Sequence, residues 1–389
     1  MTDTLDPVRV IDADTHLTEA HDLWTKRAPA AYKDRVPHVT RVDGAATWVV
    51  EGNVELGRAG AGGVIDTHGR KGRSFEGLYE WEQEQGHLAS YDPIARIELL
   101  DETGIWAEII FPGVVGLGGQ SLAEHVEDLA LRMLCLEIFN DASAELQADS
   151  KDRLLPMAIL PAWDVDACVR EARRAAGLGL RGVNLTSDPQ DLGAPDLANR
   201  SWDPLWEVCS ELSMPVHFHI GASLTTMNYF GTYPWESHDD DTKLAIGGTL
   251  LFIGNARVVV NIICSGMLDR FPALKIVSVE SGTGWIPFIL EALDYEMEEN
   301  APLAKASMSL LPSEYFKRQI YATTWFEHTN LAALIGSVGE DNIMFETDFP
   351  HPTCLYPDPL KTAETNLRDL DPTVRRKILG DNAVRLYRL

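Results

Sequence analysis

Eight short runs rich in apolar and β-branched residues recur along the chain: VRVIDADTH (8–16), IWAEIIFPG (105–113), RLLPMAILP (153–161), LRGVNLTS (180–187), PVHFHIG (215–221), LKIVSVESG (274–282), IYATTWFEH (320–328) and DNIMFETDFPH (341–351). Helix-like segments lie between most of them, at 121–149, 164–178, 201–213, 242–268, 284–299 and 329–339. Such alternation builds parallel β/α units. Near-continuous apolar strands imply burial on both faces. Eight units close into a (β/α)8 barrel, an α/β fold that the 389 residues accommodate as a single domain. A doubly wound open sheet is the alternative, but no GxGxxG follows the first strand.

Residues 38–90 break the alternation and read as an insertion. TWVVEGNVELG (47–57) has the pattern of a hairpin, and GRAGAGGVIDTHGRKGR (57–73) follows it without phosphate-loop spacing. A mobile surface segment is the expectation there. The ending RRKILGDNAVRLYRL predicts a closing amphipathic helix that starts near Asp381.

Charge and cysteine content exclude several function classes. A formal charge of −26 repels phosphate backbones, so nucleic acid is excluded as a partner. The longest apolar stretch, 244–266, is interrupted by Asn255, Arg257 and Asn261, so it is expected to be a buried helix rather than a membrane span. MTDTLDPVRV lacks the basic and apolar character of a secretory leader. Five cysteines with no CxxC pair fit a reducing, cytoplasmic setting.

In a barrel of this kind the active site forms at the carboxyl ends of the strands. The first run ends in Asp14 and His16, the fifth in His217 and His219, the sixth in Glu280, and the eighth in Asp348 with His351 just beyond. Residues i and i+2 of a strand share a face, so Asp14 and His16 converge. Three carboxylates crowded at one rim would repel and raise at least one pKa. One divalent metal ion removes that conflict, and imidazole with carboxylate suits zinc or manganese. His219 lies nearer the rim and is the better ligand, because His217 sits roughly 6.6 Å deeper. The loop 221–241 carries Asn228, Tyr229, Tyr233 and Trp235, which could cover a flat substrate. Glu327, His328 and His351 face the mouth if the register holds. Arg70, Lys71 and Arg73 either pair with an anionic substrate or form a solvated loop.

IDADTH, PVHFHIG, DRFPALKIVSVESGTGWIP, FETDFPH, LGDNAVRLY and DPIARIELLDETGIWAEIIFPG together resemble the amidohydrolase-related family. This is the branch that contains aminocarboxymuconate-semialdehyde, resorcylate and carboxyvanillate decarboxylases. The resemblance implies a distorted barrel, one divalent metal held by Asp14, His16, His219 and Asp348, and a homodimer with 244–264 as a contact. Well-known members have His or Glu at the position of Asp14, which makes Glu19 a candidate substitute ligand. They usually have His where this chain has Glu280, so Glu280 becomes a candidate acid or base beside Asp348. The implied function is non-oxidative decarboxylation of an aromatic or unsaturated carboxylic acid. Metal-dependent hydrolysis of an ester, amide or lactone is the alternative, and a catalytically silent binding barrel is the third reading.

Overall fold

The computed structural model describes residues 8–231 and 235–389. Strand β1 (Ile11–His16) opens the barrel, and β2 (His38–Val42), β3 (Ala45–Val50) and β4 (Val54–Arg58) form a separate antiparallel sheet. The barrel resumes with β5 (Ala107–Phe111), β6 (Leu154–Pro156), β7 (Ala158–Ile159), β8 (Val183–Asn184), β9 (Val216–His219), β10 (Ile276–Val279), β11 (Ile320–Thr324) and β12 (Ile343–Phe345). Each apolar run of the sequence supplies a strand, with β6 and β7 the two halves of one run.

Neighbouring strands follow chain order. β1, β5 and β6 form one parallel sheet, and β7 to β12 form a second, six-stranded one. At the break between β6 and β7, the Met157 N–H donates to the Ile110 carbonyl at 3.0 Å and the Ala158 N–H to that of Gly182 at 3.1 Å. On the opposite side the Asp348 N–H donates to the Asp14 carbonyl at 3.0 Å and the His16 N–H to that of Phe349 at 2.8 Å. Two sheets joined at two irregular seams make the distorted barrel.

Burial explains the strands. Ile276, Val216 and Ile343 point outward against helix residues such as Ala172, Trp206 and Ile262. Ile11, Ile109, Phe111, Met157, Val277 and Met344 fill the interior. Both faces are therefore apolar, as parallel barrel strands require. The final helix, Asn382–Tyr387, sends Tyr387 into the same interior cluster. The Tyr387 hydroxyl lies 2.9 Å from His217 Nε2, while His217 Nδ1 lies 2.9 Å from the Val183 carbonyl. His217 is thus a satisfied core histidine.

Three segments differ from the sequence reading. The stretch 121–149 divides into Gln120–His125 and Leu129–Asp149, because the Asp128 side chain accepts from the N–H groups of Ala130 and Leu131 and starts a new helix. The apolar stretch forms Asp240–Phe252 and Gly254–Cys264. By length and composition 240–264 could cross a membrane, and 44% of its most apolar window is buried. Burial concentrates in the second half, where Val258, Val259, Ile262 and Ile263 join the core, while in the first half only Gly247 is buried. The expected buried helix is therefore half right.

The glycine-rich segment is packed rather than loose. Val64 and Ile65 are buried with Phe349 and Cys354 beside the eighth strand. A Cβ at Gly63 would stand 2.6 Å from Pro350 Cγ, so the close approach requires glycine. Arg70 pairs with Asp66 at 2.8 Å and Arg73 with Asp241 at 2.7 Å, and the Lys71 ammonium donates to the carbonyls of Pro352 and Cys354. These three cations brace the insertion instead of reaching a substrate.

Candidate metal centre

Strand β1 ends in a local irregularity that aims its side chains. Its register against β5 shifts between Asp12 and Thr15, and such bulges re-aim side chains near functional sites. Asp12, below the shift, accepts the N–H groups of Asp14 (3.3 Å) and Thr347 (2.8 Å), tying the first strand to the eighth. Arg96 lies wholly buried beneath the rim. Its guanidinium reaches Glu108 at 2.8 Å, the Ala89 carbonyl at 2.6 Å and the His16 carbonyl at 2.5 Å, and lies 4.6 Å over the Phe349 ring. The backbone of His16 is therefore fixed from below.

Four strand ends meet above this base. His219 Nε2 lies 3.4 Å from Asp14 Oδ1 and 3.3 Å from Glu280 Oε2. His16 Nε2 lies 3.7 Å from Asp14 Oδ1 and 3.6 Å from Asp348 Oδ1. His351 Nδ1 comes within 2.9 Å of Asp348 Oδ1, and its ring stacks on His16 with centroids 3.8 Å apart. Two overlapping ligand sets result, Asp14–His16–His219–Glu280 and His16–Glu280–Asp348–His351, each with donor atoms within 4.8 Å of one another. Glu280 and Asp348 both hold left-handed backbone, φ +53° and +59°. Non-glycine residues hold such conformations at a cost of about 1–3 kcal/mol, and they cluster at functional sites.

The electrostatics favour a cation. Burial raises the Glu280 carboxyl well above its ordinary range, and the charges of Asp348, Asp14 and Glu346 raise it further. Asp14 is raised by burial, against the pull of His219. Burial, then His351 and His219, push His16 well below the usual imidazole value, leaving it in the neutral form that metal coordination needs. Burial opposes charge on His351 as well, but Asp348 prevails and raises it.

The residues fit a divalent ion on their own geometry. Both oxygens of Asp14 and the Nε2 atoms of His16 and His219 are buried without a hydrogen-bond partner. Unpartnered buried polar atoms are expensive, and four converging on one point make a ligand set. His219 Nδ1 lies 2.6 Å from the Ile220 carbonyl, so that nitrogen carries the proton and the Nε2 lone pair faces the cluster. Glu19 does not take part. Its Oε1 accepts the N–H groups of Gly113 (2.8 Å) and Val114 (3.1 Å), holding the loop after β5.

A cavity of about 350 Å³ opens onto His16 and His351. Its remaining wall comes from the insertion, with Trp48, Leu56, Arg58 and Leu78, from Leu17, Thr18 and Glu19 after β1, and from Pro112, Val114, Leu117 and Ser121 after β5. The Nε of Arg58 is buried without a partner. The aromatic loop expected to cover the site does not line this cavity. Tyr229 is 74% and Trp235 51% exposed, His328 is exposed as well, and Tyr233 falls outside the described residues. Of Tyr229, Trp235, His328 and His351, only His351 lines the cavity.

Sequence reasoning missed Glu346. It is buried with both oxygens unpartnered, and burial together with Asp14 raises it well above the carboxylate range. The signal was available: Glu346 lies two residues before Asp348, the spacing that linked Asp14 to His16.

The amidohydrolase family model matches residues 11–389. The chain belongs to that family. A gamma-resorcylate decarboxylase from Rhizobium sp. (strain MTP-10005) is 27% identical to this amidohydrolase over 327 residues, covering 79% of this chain and 90% of the relative. The structure of 5-carboxyvanillate decarboxylase from Sphingomonas paucimobilis superposes with a TM-score of 0.67 at 21% identity, covering 98% of this chain and 100% of the other. A dihydroxybenzoic acid decarboxylase from Polaromonas sp. JS666, solved with manganese and 2-nitroresorcinol, superposes with a TM-score of 0.60 at 23% identity over 76% of this chain and 85% of the other. The TIM-barrel architecture read from the alternating runs agrees with these neighbours.

Proposed function

We propose that this amidohydrolase is a metal-dependent non-oxidative decarboxylase of an aromatic hydroxy acid. One observation carries the reading: the unpartnered donors of Asp14, His16 and His219 gather with Asp348 and Glu280 in one cluster, and that cluster meets the cavity through His16 and His351. The named relatives are decarboxylases of aromatic acids, and the Polaromonas neighbour was solved with manganese. Manganese is the ion to load first, because the Polaromonas neighbour was solved with it, although carboxylate and imidazole donors suit zinc as well.

Asp14, His16, His219 and Asp348 would hold the ion. When bound, the ion polarises a substrate oxygen as a Lewis acid. Trp48, Leu56 and Leu78 offer flat apolar surface to an aromatic ring. The Arg58 guanidinium in the same wall donates to the Glu80 carbonyl at 2.9 Å and keeps its Nε for an anionic oxygen on that ring. Glu280, buried and raised, delivers a proton to the ring carbon that bears the carboxylate. The C–C bond then breaks, its electrons restore the aromatic ring, and CO₂ departs. His351, paired with Asp348, orients that carboxylate above the cluster.

The carboxylate-rich rim also suits hydrolysis of an ester or lactone, with Asp348 as base. Incubating the Mn²⁺-loaded enzyme with a panel containing 2,6-dihydroxybenzoate, 5-carboxyvanillate, aryl esters and lactones separates the readings. CO₂ release from an acid supports decarboxylation, and incorporation of oxygen from water into an ester or lactone product refutes it. A silent barrel would turn over no member. Glu280→Gln should retain one Mn²⁺ per chain and lose kcat by about 10²-fold or more. A homodimer contacting through the half-exposed helix Asp240–Phe252 completes the reading, testable by sedimentation. The free thiols of all five cysteines are in keeping with a cytoplasmic enzyme.

A further inference from the structure

The left-handed backbone of Glu280 needs neighbours that over-determine it. The Glu280 N–H donates to Thr323 Oγ1 on β11 at 3.0 Å. Ser278 and Ser281 join through their hydroxyls at 2.7 Å, with Asn255 Nδ2 donating to Ser278 Oγ at 3.0 Å. Gly282 then takes φ +64°. Beyond it stands Glu327, a carboxylate that belongs to neither ligand set. Its Oε1 accepts both the N–H and the hydroxyl of Thr283, the latter at 3.1 Å. Its Oε2 accepts the Thr324 hydroxyl at 2.7 Å and the Trp325 N–H at 3.3 Å. A Cβ at residue 282 would meet Glu327 Oε1 at 2.6 Å, so the turn lies directly against this carboxylate.

Four donors from two loops converge on one side chain, and an acceptor-only group suits all of them. A carboxamide would turn one end into a donor facing donors. We infer that Glu327 is a positioning residue: it ties the loop after β10 to the end of β11 and so keeps the Glu280 carboxylate aimed at the metal cluster. The inference rests on the role proposed above for Glu280.

The test is a double-mutant cycle on the full chain, with Glu327→Gln, Glu280→Gln and the double variant. Two quantities are read: kcat and KM for the panel acid turned over fastest, and the Mn²⁺ dissociation constant of metal-stripped protein. Glu327→Gln should lower kcat roughly 10-fold with KM held within about 2-fold, the signature of misplacement rather than lost binding. It should also weaken Mn²⁺ several-fold, because Glu280 belongs to both candidate ligand sets and its charge faces the ion site. Both effects should vanish when Glu280 is already Gln. Persistence of the full losses in the double variant overturns the inference, as does a Glu327→Gln protein that matches wild type. Should Glu327→Gln not fold, Thr283→Val removes one hydroxyl at nearly constant shape and should show a smaller loss with the same coupling. Where no acid is turned over, the Mn²⁺ arm decides alone. Full kcat in Glu280→Gln would refute that residue's proton-delivery role, and the Mn²⁺ coupling would still judge Glu327.

Discussion

Replacing Arg96 by Met should be among the most destabilising single changes in the barrel. The guanidinium is wholly buried and bridges three backbone segments through Glu108 and the carbonyls of Ala89 and His16. Removing one member of a buried ion pair costs about 3–5 kcal/mol, because the other charge stays uncompensated. Burial already raises the Glu108 carboxyl against the pull of Arg96, so losing the cation leaves the acid protonated or strained. Two stranded carbonyls add about 1–3 kcal/mol each where water cannot reach them, though not additively. A total of about 5 kcal/mol is the expectation. Urea unfolding of the Mn²⁺-loaded protein reads it: with a slope on the order of 4 kcal/mol per M for a chain of this size, the midpoint should fall by about 1 M. Arg96→Met with Glu108→Leu should regain most of that loss, since a buried pair exchanged for apolar residues is often close to neutral. A single variant within about 1 kcal/mol of wild type, or a double variant no better than the single, would refute the reasoning.

Other outcomes follow from the same geometry. His219→Ala removes the imidazole nearest both Asp14 and Glu280, so metal analysis should show the ion and the activity lost together. Arg58→Leu should raise KM about 10-fold for a substrate bearing a second anionic oxygen, with little change in kcat; equal KM for wild type and variant would remove Arg58 from the site. The metal-stripped protein should lose thermal stability as pH rises above about 6.5, the ordinary value of His351, whose folded value Asp348 raises. Groups whose folded pKa is raised, such as Glu280 and Glu346, stabilise fully below their unfolded value near 4.5 and lose that contribution as pH climbs through the folded value. His16 and His217 are depressed, the latter to about 4, so their contribution changes only below about 6.5. Mn²⁺ should flatten the slope in a melting-temperature series, and a metal-free protein whose melting point rises with pH would contradict it.

The barrel was legible because its strands are buried on both faces, leaving eight apolar runs that stand out from amphipathic helices. The ligand set was legible for a related reason, since polar side chains at the ends of apolar runs have only the rim to occupy. What escaped was fixed by contacts between distant segments. Asp128 divides a helix through a cap, a local signal that the apolar pattern masked. Glu19 looked like a ligand until the loop after β5 supplied two N–H groups for it. Tyr229 and Trp235 had the right chemistry for a substrate wall, but the cavity is walled by Trp48, Leu56 and Leu78 with the loops after β1 and β5, and the insertion meets the eighth strand at the close contact of Gly63 with Pro350. No periodicity in residues 38–90 announces that approach.

That wall has a consequence for how such enzymes diversify. The reacting groups ride on the barrel, whereas part of the surface a substrate would meet, at Trp48, Leu56 and Arg58, belongs to a small antiparallel sheet. Exchanging residues between β2 and the segment near Leu78 could retune which molecule is accepted while leaving the chemistry intact. The limit to such grafting is Gly63 against Pro350, one residue from His351: a bulkier joint there would push on the machinery itself.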